Sequence, residues 1–190
     1  MIDTALTFIK NALTESFSNQ FENAEDKIAV SNVINPDGSM PNNLEGKIVF
    51  FLTSIAQETS LKNNFNRTAD KDGKFSSAGP TVHLNLNLLF CANFSGDSYT
   101  DGLAYLSAVI RFFQRNTVII PRMKQNPLSD SKLLFEMVTL DHSELSHLWS
   151  AIGSKMMPSV LYKVRLLAFK DNVQGREIPS IVEPSKVKNT

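Results

Sequence analysis

The chain opens on a helical period. Ala5, Leu6, Ile9, Leu13 and Phe17 recur at three- and four-residue steps, which predicts an amphipathic helix over residues 3–17 with Asp3 placed to cap its first free amides. The period then shortens. Apolar residues from Ile28 to Ile34 read as a strand running into Asn35-Pro36-Asp37-Gly38, a turn in which Pro presets φ and Gly accepts a positive one. Lys47 to Gln57 (KIVFFLTSIAQ) is apolar on both alternating sets, the pattern of a strand covered on both faces and central in its sheet. From Thr81 to Phe94 the alternation is cleanest. Val82, Leu84, Leu86, Leu88, Phe90, Ala92 and Phe94 point one way and His83, Asn85 and Asn87 the other, so a long strand carries one polar patch.

Glu58 to Pro80 separates these strands by far more than the roughly 2–5 residues of a hairpin connection. Its Asn63-Asn64, Asp72-Gly73 and Gly79-Pro80 steps mark a long polar loop, either functional or mobile. A second helix over Ser98 to Arg115 turns Leu103, Leu106, Val109, Ile110 and Phe113 inward, with Asp97 and Asp101 at its positive end and Arg111 and Arg115 at its negative end. Val118-Ile119-Ile120 is a brief apolar segment stopped by Pro121, and Leu133 to Leu140 alternates weakly as a strand. Asp141 and Glu144 have capping-box spacing; Leu145, Leu148, Trp149 and Ile152 follow at helical steps, and Gly153 supplies the stop. Residues 159–169 (SVLYKVRLLAF) return to strand. The last 20 residues, 171–190, hold Gly175, Pro179 and Pro184 and no period, so they read as an extended arm beside a single domain of residues 1–170. The order α-β-β-β-α-β-α-β predicts an α+β fold, a mixed, mainly antiparallel sheet packed with about three helices.

Composition narrows the function classes. With 42% apolar and 20% charged residues and a mean hydropathy of −0.12, the 190-residue chain can close one substantial core. Lys+Arg and Asp+Glu stand at 19 each, so no basic field favours nucleic acid. The apolar runs fall far short of the roughly 18 residues that span a bilayer, and Met1-Ile2-Asp3 lacks the basic start of a leader, so neither membrane nor export is expected. The single Cys91 excludes an internal disulfide and fits folding in a reducing cytoplasm.

Candidate chemistry is sparse. His142 and His147 lie five residues apart, about 140° around a helix, and cannot share a metal as an i, i+4 pair would. Asp141, His142, Ser143 and Glu144 are hydrolase residue types, but their contiguity is that of a helix cap rather than a triad. Cys91 has no flanking basic group to stabilise a thiolate and reads as a small buried hydrophobe. Asp70-Lys71-Asp72-Gly73-Lys74 lacks the acidic positions of a calcium loop, and no Walker or dinucleotide glycine pattern occurs. No metal, cofactor or catalytic residue is therefore expected, and Phe90, Phe113, Leu148 and Trp149 are assigned to the core.

Four stretches carry a family likeness: MIDTALTFI, LNLNLLFCANF, YLSAVIRFFQRN and HLWSAIGSKMMPSVLYKVRLL. Over residues 1 to 170 or so the chain resembles the tail-terminator, or cap, family of contractile injection systems, the phage-tail-like particles of bacteria. The resemblance implies a six-fold homo-oligomeric ring that closes the distal end of the inner tube and sheath and sets particle length, with no enzymatic activity and no cofactor. It implies assembly in the bacterial cytoplasm and a place in a particle that can be released. Members often continue into a longer C-terminal part, so the function of such a part is not expected of these residues. Leu61, Phe65, Arg67, Lys71 and Lys74 of the long loop, with Ile178, Ile181 and Val182 of the arm, are the expected interface residues. Three alternatives stay open: a connector or other tail accessory, a hydrolase using Ser143, His142 or Cys91, and a small-ligand module on the Asn-lined strand face.

Overall fold

The structure, a computed structural model, describes residues 1–22, 24–58, 67–69, 75–77, 82–121, 132–169 and 177–178, with backbone alone at 67–69, 75–77, 166–169 and 177–178. In chain order the elements are α1 (Ile2–Ser18), β1 (Ile28–Val30), β2 (Lys47–Gln57), β3 (Arg67–Ala69), β4 (Phe75–Ser77), β5 (Val82–Asn93), α2 (Tyr99–Arg115), β6 (Val118–Ile119), β7 (Leu133–Val138), α3 (His142–Ile152), β8 (Ser159–Phe169) and β9 (Glu177–Ile178). They form a single α+β domain. Six strands make one sheet in the order β1-β2-β5-β8-β7-β6, and three make a second in the order β3-β4-β9. Among the described residues β1 and β2 pair in parallel and every other pair is antiparallel.

The period-2 pattern of β5 builds two cores. Leu86, Leu88, Phe90 and Ala92 face α1 and α2, where they meet Ile9, Leu13, Phe17, Val109 and Phe113. Phe90 stacks on Phe50 at 4.8 Å between ring centroids, and Phe113 on Phe135 at 4.4 Å. Phe90 and Phe113 are buried, as their core assignment requires. On the opposite face Leu89 and Cys91 join Val49, Leu161 and the buried Trp149 of α3, with Leu148 half-buried against them. Val33 and Leu44 fold over onto this second face, so the strand expected over Ile28 to Ile34 ends at Val30.

Local signals were obeyed closely. Asp141 accepts the Glu144 amide at 2.7 Å while the Glu144 carboxylate accepts the Asp141 amide at 2.9 Å, a complete capping box, and Gly153 ends α3 at φ 78°. Asn35 and Gly38 close the anticipated turn with a 2.9 Å hydrogen bond, Gly38 sitting at φ 82°.

Four further expectations need correction. Asp3 does not cap α1; its carboxylate accepts from the Met1 amine at 2.6 Å, inside the first turn. Leu103 points outward, 38% exposed, because Gly102 takes the inward position against the Phe94 ring, where a Cβ would come within 2.7 Å. Strand β2 is interior rather than central, and only Ile48, Val49 and Phe50 are buried; Ser54 to Gln57 are exposed. The span from Glu58 to Pro80 is not all loop, since β3 and β4 pair within it and Glu58 itself is buried. In the C-terminal stretch, expected as an extended arm, Glu177–Ile178 forms β9 and pairs with β4 through Phe75 and Ile178.

Candidate interaction surfaces

The residue types of a hydrolase lie at the start of α3 and at Cys91. His142 and Ser143 are exposed in the first turn of α3 and His147 is exposed further along it. Asp141 and Glu144 spend their carboxylates on each other's amides. Cys91 lies on the other side of the sheet from α1 and α2, its thiol donating to the Val49 carbonyl at 3.2 Å, and burial pushes its pKa up to about 12. A thiol so placed is not a nucleophile near neutral pH. Among the described residues no group of His, Cys, Asp and Glu could hold a metal, and no helix is long and apolar enough to cross a membrane. Two surface clefts, of about 600 and 290 Å³, are open; the first is lined by Ser18 to Glu22 and Ala24 to Asp26, the second by the ends of α1 and α2. Asp26 at the first is held below the ordinary carboxylate range by its hydrogen bond and charge pairing with Lys47 at 2.6 Å.

Chemistry gathers instead on the far half of the second sheet face, beyond α3. Four neighbouring strands each offer one polar group there. Glu58, just past β2, accepts from Asn85 of β5 at 3.1 Å and from two guanidinium nitrogens of Arg165 of β8 at 3.2 and 3.0 Å. Arg165 donates its remaining arm to Glu136 of β7 at 3.0 Å. The Glu58 side chain is 7% exposed and that of Arg165 30%, so the pair is mostly out of water and ties β8 to the end of β2. The Asn85–Asn87 patch read from the alternation is part of this row, Asn87 adding a 2.8 Å bond to Ser54. Glu58, Glu136 and Arg165 were missed. The available signal was a pair of charges inside an otherwise apolar strand, Lys163 and Arg165 in YKVRLLAF.

Further surfaces lie at strand edges. Val118 and Ile120 at the β6 edge are 50% and 44% exposed, and Val30 at the β1 edge is 38% exposed. In the small sheet β3 and β9 are the outer strands. Of the expected interface residues, Arg67 begins β3 and Ile178 ends β9, so both belong to this one sheet. Leu61, Phe65, Lys71, Lys74, Ile181 and Val182 lie outside the described residues.

Residues 4–183 match the family model described as the Pvc16 N-terminal domain. No curated protein matches the chain. Two cryo-EM structures share its fold. A PVC sheath/tube terminator of an extracellular contractile injection system, in the extended state, is 16% identical with a TM-score of 0.56, over 96% of this chain and 62% of that one. The tube-terminating cap of the anti-feeding prophage is 19% identical with a TM-score of 0.57, over 96% of this chain and 59% of that one. The chain thus spans about three-fifths of the length of each structure.

Proposed function

The chain belongs to the Pvc16 N-terminal domain family, and from that premise we propose that it is a structural terminator, a ring of six copies that closes the distal end of the inner tube and sheath of a contractile injection system and ends tail elongation. The observation that carries the reading is the agreement of a family model over 4–183 with a fold shared, over 96% of the chain, by a sheath/tube terminator and a tube-terminating cap. Its working parts are surfaces. A rigid two-core domain presents to each neighbour the same edges and faces, which is what a closed ring requires. The role needs no catalytic group and no cofactor. Assembly takes place in the bacterial cytoplasm, and the cap leaves with the finished particle.

Docking to tube and sheath is assigned to the segment after Glu58 and to residues 171–190, with Leu61, Phe65, Arg67, Lys71, Lys74, Ile178, Ile181 and Val182 as contacts. The β4–β9 pairing supports it by drawing both segments into one small sheet whose outer strands, β3 and β9, have unfilled edges among the described residues. The test is removal of the chain from an assembling system. Tubes and sheaths of uncontrolled length, restored to uniform length by the wild-type chain and by His142→Ala and Cys91→Ser variants, are expected. Particles of normal length without it would overturn the reading.

A further inference from the structure

The six-stranded sheet is open, and its two edges are unusually well matched to each other. Strand β1 runs parallel to β2, and four successive antiparallel pairings, β2-β5, β5-β8, β8-β7 and β7-β6, bring β6 back to the same direction. Both edge strands of one molecule therefore point the same way. A rotation about an axis along the strands sets β6 of one copy beside β1 of the next as a parallel pair, and this head-to-tail contact repeats until it closes.

Charge agrees with that geometry. Just before β1 stand Glu22 and Glu25, both exposed and without an ion-pair partner among the described residues; Asp26 and Lys47 neutralise each other, and Lys10 and Lys27 are the other positive charges close to Asp26. Just before β6 stand Arg111 and Arg115, exposed and likewise unpaired among the described residues, with Glu15 the nearby acidic side chain across the cleft. In a parallel pair the starts of the two strands lie side by side, so the acidic start of one copy meets the basic start of its neighbour. Faces agree as well. Ala29 and Val118 belong to the second face and Val30 and Ile119 to the first, so a continuous sheet sets Ala29 beside Val118 and Val30 beside Ile119, covering apolar surface now in water.

We propose that neighbouring copies in the ring join edge to edge, β1 of one to β6 of the next, with Glu25 facing Arg115 across the joint. The proposal rests on the ring reading above and names the surface that makes it. Its test uses the full chain, alone and on tube and sheath, with native mass spectrometry and electron microscopy to count copies. Glu25→Arg and Arg115→Glu are each expected to lower ring formation roughly tenfold, and the two together to restore it to within about twofold of wild type. Both residues are exposed and unpaired among the described residues, so each monomer should keep its circular dichroism spectrum. An Ala29→Cys/Val118→Cys double variant should form disulfide-linked ladders up to the ring size upon oxidation, and neither single variant should. Wild-type rings that ignore the charge changes, a charge swap that rescues nothing, or rings without the cross-link would overturn the edge joint while leaving the ring intact. A wild-type chain that forms no ring, alone or on the tube, would remove the ring reading and the joint with it.

Discussion

The same three strands live in two environments. In the near half of the sheet Val49 and Phe50 are 0% exposed between helices on both faces, whereas in the far half Ile55 of the same strand is 49% exposed and Val82 of β5 is 37% exposed. The near half is held by apolar and aromatic burial, which is strong, non-directional and tolerant of small shifts. On its second face the far half relies on the Glu58–Asn85–Arg165–Glu136 row, which is directional and fails when one partner goes. One half is built as a foundation and the other as a braced extension from which the segments after Glu58 and Phe169 depart.

The largest expected effects belong to the near half. Phe113→Ala and Trp149→Ala, each truncating a buried aromatic, should cost about 3–5 kcal/mol and lower the whole unfolding transition in chemical denaturation. Arg165→Ala should cost about 2–4 kcal/mol, less than a fully buried pair because the side chain is 30% exposed. Its distinguishing result is faster amide exchange confined to the far ends of β2, β5 and β8; uniform exchange changes across both halves would erase the contrast drawn here.

Gly102→Ala sharpens the near half from another side. In an exposed helix the change would stabilise by about 1 kcal/mol, but here the new Cβ meets Phe94 at 2.7 Å, so a net loss of about 1–2 kcal/mol, or roughly 2–8 °C in Tm, is expected. A stabilised variant would mean that the Phe94 ring moves aside at little cost.

What the sequence made legible was local or periodic. The capping box of Asp141 and Glu144 spans three residues, and the alternation of Leu84, Leu86, Leu88 and Phe90 is visible without knowing any partner strand. Leu103 was misassigned because a helical wheel cannot show that the Phe94 ring leaves room inward only for Gly102. The Glu58–Arg165 pair lies 107 residues apart in the chain, and the parallel return of β1 beside β2 is equally non-local, so neither periodicity nor spacing could reveal them. The family likeness came from overall pattern, which is why it conveyed a fold and a role but no site.

The smallest effect is electrostatic and lies outside both halves. Asp26 is held below its ordinary range by Lys47, so its contribution is present above the usual carboxylate range and is lost as pH falls through the lowered folded value. Asp26→Asn should flatten the acid limb of a Tm-against-pH curve slightly at low salt and leave it unchanged at high salt, the pair being fully exposed on the carboxylate side.

The central claim is position and copy number in a particle. Cryo-electron microscopy of particles assembled with this chain tests it most directly: the account predicts one six-fold ring of the two-core domain seated on the distal end of tube and sheath, with β1 and β6 edges of adjacent copies in contact. A single copy, a ring at the opposite end, or its absence from an otherwise finished terminus would contradict it.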